Sequence, residues 1–269
     1  MAEIKYNPEG SALRRDQLEL LRMLNIVDEI CKKNNIPWWL SSGTLLGAAR
    51  HKGFIPWDDD MDIVLLRKDY KKLEKILCNM ESEEFVFHCM KTDVDYVNCF
   101  GKFRARNGSV QSKNKRNSYY KWKGIGFDIF SIEKTNFIAT RLASLIYHKT
   151  QRVTVNIKNE WIRKSLIRII ECINFGLIFP ILRIIGAINP KNEYHYTLGT
   201  GWPSHIFYME DTFPLSKTEF EGIMLPVPHD VDRYLTNVYG DWRTPPSEEQ
   251  IKASIHCQEY RDEIFGKGN

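Results

Sequence analysis

A chain of 269 residues, 43% hydrophobic and 27% charged, holds enough apolar side chain for one large core, or for a core plus a smaller lobe, and is not a disordered polymer. The net charge of +4 is too small to mark a general polyanion binder, but it is unevenly spread: eight Lys and Arg and no acid fall between Asp95 and Asp128, and only Glu160 and Glu171 oppose the basic stretch from Arg141 to Lys191. Six scattered cysteines without a C-x-x-C pair argue against a zinc site or disulfide framework and for reduced thiols in a cytoplasmic protein; the N-terminus lacks the basic-then-apolar layout of a signal peptide.

Residues 11–34 are predicted helical, with Ser11 as N-cap and Leu13, Leu20, Leu21, Leu24, Val27 and Cys31 on one face. "IPWWLSSG" reads as a short strand and "TLLGAAR" as a short helix or turn. "MDIVLL" reads as a buried strand, and "RKDYKKLEKILCNM" as an amphipathic helix with Tyr70, Leu73, Ile76 and Leu77 inward. "EFVFHCM", "YVNCFGKFRAR" and "GIGFDIFSI" are further predicted strands, the last two separated by a polar, basic loop. Residues 137–190 are helical and basic, with an apolar stripe through Ile162, Leu166, Ile169, Ile170, Ile173 and Leu177. The longest uncharged run, "CINFGLIFPIL", has 11 residues, short of the ~20 that cross a bilayer. A helix of this kind either lies in the membrane interface plane or packs as a lobe on the core. The Pro- and aromatic-rich tail contains a short predicted helix from Val231 to Val238.

The chemistry concentrates in "PWDDDMDIVLL". In a strand, residues two apart share a face about 6.6 Å apart, so Asp60 and Asp62 point one way while Met61 and Ile63 enter the core. Paired carboxylates so placed suit magnesium, which takes one or two protein carboxylates plus substrate phosphates. Asp58 precedes the strand, and Asp59 is expected to face solvent or cap the turn. An EF-hand fails, because its glycine would fall on Ile63 and its terminal glutamate on Asp69. Asp128, set between Phe127 and Ile129, needs either a cationic side chain or a shared metal. Upstream, Ser42, Gly43 and Thr44 form a glycine turn leading into a helix N-terminus, a layout that can cradle phosphate.

"WWLSSGTLLGAARHKGFIPWDDDMDIVLL" resembles the signature of the LicD/fukutin family, phosphotransferases on the nucleotidyltransferase fold. "GFDIF" resembles that family's third-acid strand, although it continues as "DIFSIEK" where members often carry Pro. "FEGIMLPVPHDVDRYLTNVYGDWRTPP" with a later "IH" is similar to its C-terminal block. The resemblance implies an α+β fold: a nucleotidyltransferase-type palm, its mixed sheet flanked by helices, with a helical, basic insertion or lobe. The expected division is a catalytic core over 1–136, a helical basic lobe over 137–195 that either faces a membrane or packs on the core, and a segment over 196–269 completing the catalytic domain. It further implies that Asp60, Asp62 and Asp128 bind divalent metal, two Mg2+ ions or alternatively Mn2+, and that Ser42, Gly43 and Thr44 lie at the donor phosphates. The implied reaction moves a phospho-alcohol, phosphorylcholine from CDP-choline being favoured, to a sugar hydroxyl of a cell-surface glycan or lipid-linked glycan, as in capsule or lipopolysaccharide modification.

Within that reading, Asp128 is a candidate general base on the acceptor side. Lys102 and Arg104 share a strand face and are candidates for the diphosphate, a plain surface strand being the alternative. At least one of Arg50, His51 and Lys52 is expected to reach the donor, and His256 either orients substrate or is structural. Trp57, Trp122 and Tyr119 could cage a quaternary ammonium or simply pack. Two rivals remain: a D-x-D sugar-nucleotide glycosyltransferase, which normally places a nucleotide-binding unit ahead of its acids, and a non-catalytic nucleotide-binding relic of the same fold. No nucleic-acid partner is expected, since the basic stretch shows no recognised module.

Overall fold

Helix α1 (Ala12–Lys33) opens the fold as its pattern predicts. The Ser11 hydroxyl accepts the Arg14 N–H at 3.2 Å, and Leu13, Leu20, Leu24, Val27 and Cys31 are buried along one face. The structure, a computed structural model, describes residues 6–110, 115–255 and 257–266. A mixed sheet follows: β1 (Trp39–Leu40), β2 (Asp62–Leu66), β3 (Phe85–His88), β4 (Gly101–Ala105), β5 (Gly126–Lys134) and β6 (Tyr194–Tyr196). Its order is β1-β2-β5-β4-β3, with β6 antiparallel to the far end of β5; β2 and β5 alone run parallel. Helix α2 (Ser42–His51) joins β1 to β2, and α3 (Arg67–Cys78) leaves β2 directly; α1, α2 and α3 all pack on the sheet. The expected palm of a mixed sheet flanked by helices is present.

Two local differences have identifiable causes. The strand expected from Tyr96 begins only at Gly101. Asp93 organises a turn instead, accepting the Asp95 and Lys121 N–H groups at 3.0 and 2.8 Å and bonding His88 Nε2 at 2.9 Å. In the tail, β7 (Ser216–Phe220) and β8 (Ile223–Val227) form a hairpin that the pattern did not suggest. Its turn places Glu221 and Gly222 at φ 52° and 79°, the left-handed pair that matches strand twist. Arg14 clamps Glu221 with two hydrogen bonds of 3.1 and 2.6 Å, and Phe220, Leu225 and Val227 enter the same core as the sheet. The short helix expected near Val231 is α8 (Val231–Tyr239), with α7 (Met209–Thr212) before it and α9 (Glu248–Ser254) and α10 (Gln258–Phe265) after.

The basic segment folds into a helical lobe with its own small core of Ala139, Ala143, Tyr147, Ile167, Phe179 and Leu182. Helix α4 (Phe137–Val155) packs against α5 (Glu160–Ile173), which continues through one π-helical turn at residues 174–178 into α6 (Phe179–Gly186). The result is an unbroken 27-residue helix, Glu160–Gly186, long and apolar enough to cross a membrane, a length that the 11-residue uncharged run did not reveal. Pro180 sits in the first turn of α6, yet the helix passes through it. The stripe through Ile162, Ile169, Ile173 and Leu177 points outward.

Candidate active site

The parallel pairing of β2 and β5 sets Asp62 opposite Asp128, one strand spacing apart, and the Asp128 N–H donates to Met61 O at 2.9 Å. Met61 and Ile63 are fully buried, so Asp60 and Asp62 turn to the other side. One oxygen from each of Asp60, Asp62 and Asp128 lies within 4.8 Å of the others. Burial, then Asp60, Asp128 and Asp58, pushes the Asp62 carboxyl well above the ordinary carboxylate range. Burial pushes Asp128 up to about 7, with Lys102 opposing and Asp60 adding to the rise.

Lys102 stands in β4 directly across from Asp128. Its Nζ lies 3.0 Å from Asp128 Oδ1 and 3.8 Å from Asp60 Oδ1. Burial works against its charge, but Asp128 and Asp60 outweigh that and raise its pKa. Three crowded carboxylates that together recruit an ammonium have the electrostatics of a cation site. The donor set is all oxygen, as magnesium or manganese requires.

The turn before α2 shapes this site from the side. Thr44 is buried and its Oγ1 accepts the Asp62 N–H at 2.8 Å, so it fixes the start of the acid strand. Gly43 leaves room for the Asp58 carboxylate: a Cβ there would sit 2.7 Å from Asp58 Oδ2 and make that side chain shift. Ser42 Oγ lies 3.3 Å from the Tyr196 hydroxyl, which burial pushes up to about 12, Ser42 opposing and Asp62 adding. A cavity of about 390 Å³ opens beside these residues, lined by Gly43, Arg50, Trp57, Asp58, Tyr239 and Trp242.

The family model for the LicD/FKTN/FKRP nucleotidyltransferase domain matches residues 35–169, 135 of the 269 residues, a span holding all three acids. The chain belongs to the LicD family. It is 26% identical over 268 residues to the lipopolysaccharide cholinephosphotransferase LicD of Haemophilus influenzae, covering 92% of this chain and 97% of that protein. Shorter likenesses link it to the ribitol-5-phosphate transferase FKTN of Homo sapiens (38% over 63 residues, 23% of this chain and 13% of that one) and to the human ribitol 5-phosphate transferase FKRP (44% over 41 residues, 15% and 8%). These three relatives are named as transferases of phospho-alcohols, and the chain shares the family's nucleotidyltransferase domain.

Other expected positions of this LicD-family chain fall differently. Arg104 is no surface residue: it is buried and donates to Gly124 O at 2.9 Å, and its charge helps hold down the Asp128 pKa. Arg50 lines the cavity but gives its guanidinium to the Trp242 and Thr244 carbonyls. Lys52 turns away from the cavity, its exposed Nζ 3.3 Å from Glu219 of the hairpin, which leaves Arg50 as the one of the three that lines it. His51 is half-buried and edge-on to Trp57 at 6.4 Å. Asp59 does not face solvent; its Oδ2 accepts the Cys257 N–H at 2.9 Å and ties the C-terminal segment to the acid loop. His256 lies outside the described residues.

The cage of Trp57, Trp122 and Tyr119 does not assemble. Trp57 packs on Tyr6 at 5.2 Å, Trp122 on His88 at 5.4 Å, and Tyr119 lies under Arg163 at 3.8 Å. A different aromatic wall stands beside the acids. Phe130, two residues beyond Asp128 on the same face of β5, has its ring 5.2 Å from Tyr196 and 6.1 Å from Trp202. Trp202 stacks at 17° on His205, which neighbours Tyr239 at 6.5 Å. Desolvation, then Asp62 and Asp58, raises the Tyr239 pKa, placing its hydroxyl within their field. The only sequence signal for this wall was the aromatic density of "YHYTLGTGWPSHIFY".

Proposed function

We propose that this chain transfers a phospho-alcohol, phosphorylcholine from CDP-choline in the favoured case, to a sugar hydroxyl of a cell-surface glycan or glycolipid precursor. The observation that carries the reading is the convergence of the Asp60, Asp62 and Asp128 oxygens within 4.8 Å, in a chain aligned over 92% of its length with a lipopolysaccharide cholinephosphotransferase. Asp60, Asp62 and Asp128 would hold the divalent metal, magnesium or manganese and two ions in the full arrangement. When bound, the metal neutralises charge on the donor phosphates and on the leaving oxygen.

The residues around the acids supply the rest. Transfer joins the acceptor oxygen to the β-phosphorus of the donor, breaks the bond to the bridging oxygen, and releases CMP. The proton of the acceptor hydroxyl would pass to an Asp128 carboxylate oxygen, the candidate general base on the acceptor side. Lys102, held at 3.0 Å, keeps Asp128 charged enough to accept that proton and adds positive charge where the phosphates approach. The nucleotide would occupy the cavity between Gly43, Arg50 and Trp242, and the wall of Trp202, Tyr196 and Tyr239 offers π faces for a quaternary ammonium. Six free thiols fit the reducing compartment in which CDP-alcohols are made, so a cytoplasmic site of action completes the reading.

The sugar-nucleotide glycosyltransferase reading finds less support, because the family match and the long alignment both lie with phospho-alcohol transfer. The deciding experiment incubates the protein with Mg2+ and a panel of CDP-choline, CDP-ethanolamine and CDP-ribitol, and follows CMP release with candidate glycans. Release with a CDP-alcohol, lost in Asp60→Asn and Asp62→Asn, supports the proposal. Turnover of sugar nucleotides alone, or undiminished release in either variant, rejects it.

A further inference from the structure

Of the 18 large apolar side chains exposed on the described residues, 14 fall between Phe137 and Ile188. That places most of the exposed apolar side chain of the described residues in one lobe, beyond the scattered apolar residues of an ordinary surface. Ile138, Leu142 and Leu145 project from α4, and Ile169, Leu177 and Ile184 project from the long helix beside it. Each set repeats every three to eight residues and so lies on one face, while the opposite face carries the buried Ile167, Phe179 and Leu182.

Charge says what covers the face. Between Phe137 and Lys191 nine Lys and Arg stand against two Glu. Arg163 and Arg183 are engaged by the catalytic body, but Arg141, Lys149, Arg152 and Arg168 are exposed around the apolar residues. Glu171 is turned inward with a buried Oε1, which leaves Glu160, paired with Lys164 at 2.5 Å, as the acid on the outer side. An apolar face with a basic border is complementary to an anionic bilayer surface, where ~1 kcal/mol accrues per basic residue.

Length alone would let the Glu160–Gly186 helix span a bilayer, but its anchors forbid it. Arg163 Nε bonds Asp95 Oδ1 at 2.7 Å, both groups being buried. Twenty residues on, ~30 Å along the axis, Arg183 Nε bonds Glu133 Oε2 at 2.8 Å, and Glu133 is itself a partner of Arg67 and the Leu198 N–H. Crossing would strip both pairs and leave Asp95 uncompensated in the interior. We infer that α4 and the Glu160–Gly186 helix form a docking face that lies flat in the interface of an anionic lipid bilayer, holding the catalytic body at a fixed height above it. This inference stands independently of the phosphotransferase reading.

Vesicle flotation with the full chain tests it. The protein should float with phosphatidylcholine vesicles containing phosphatidylglycerol, stay at the bottom with phosphatidylcholine alone, and be released from vesicles by alkaline carbonate. The double variant Ile169→Glu/Ile184→Glu should stop floating with an unchanged circular-dichroism melt, since both side chains are exposed. Arg141→Gln and Lys149→Gln should each weaken vesicle affinity about fivefold. Failure to float with the anionic vesicles overturns the inference, as does carbonate-resistant retention, which would mean a spanning helix. A lipid-free dimer in sedimentation, dissolved by the double variant and indifferent to vesicles, would assign the face to a second copy and overturn it equally.

Discussion

At the junction of β2 and β5, carboxylates are drawn beneath the surface, whereas across α4 and the Glu160–Gly186 helix isoleucines and leucines are held out in it. Both arrangements cost folding free energy, the first through desolvation and repulsion, the second through unburied apolar area. Both are kept in place by neighbours that are themselves well ordered. Thr44, Met61 and Lys102 fix the acids, and Asp95 and Glu133 fix the lobe. The contrast shows two kinds of costly surface on one frame: one that concentrates carboxylates and one that exposes apolar side chains.

The comparison can be broken first at the acids. Asp62→Asn should lower transfer by roughly 10³-fold or more while raising the melting temperature measured without divalent metal, because it relieves the repulsion at its source. A variant that melts earlier than wild type would show the acids to be structural. At the lobe, Arg163→Met should cost roughly 3 kcal/mol of stability by leaving buried Asp95 with only the Lys164 ammonium, 3.8 Å away. Calorimetry should then resolve a separate early transition for the lobe, with release of CMP on a soluble acceptor retained below it.

Smaller effects sharpen the electrostatics. Removing the ammonium in Lys102→Met takes away the charge that holds down the Asp128 pKa, so that pKa climbs beyond about 7 and the acid limb of the pH–rate profile moves to higher pH. An unmoved profile would detach Asp128 from the proton transfer. The smallest expected change is in the stability of Asp128→Asn. Because the folded carboxyl titrates near 7 and its ordinary value is 3.8, the wild type keeps the full benefit of a neutral carboxyl below about pH 4 and loses it as pH rises through 7. The amide does not titrate, so the variant's advantage in metal-free thermal melts should open between those limits and stay constant above them.

Much of the catalytic half was legible because one-dimensional rules suffice there. Period-two alternation puts Asp60 and Asp62 on one face, and an apolar strand around Asp128 announces a buried acid. The partner of that acid was not legible, because Lys102 reaches it only through the antiparallel register of β4 on β5, which involves residues 26 positions apart. Thr44 was expected at phosphates, since a hydroxyl after a glycine turn looks the same whether it meets a ligand or the next strand's N–H. The aromatic wall gathers rings from β5, from residues 196–205 and from the end of α8, a union that local pattern does not encode. In the lobe, the long helix is apolar on two faces, and periodicity alone does not tell which of them meets α4.

The bond between Asp59 and the Cys257 N–H joins groups 198 residues apart. A ribosome adding roughly 5–20 residues per second therefore delivers the aspartate run about ten to forty seconds before the amide that steadies it. Arg50 waits nearly as long for the carbonyls of Trp242 and Thr244. The acid loop is thus tied down only after a much later stretch of the polypeptide has been made.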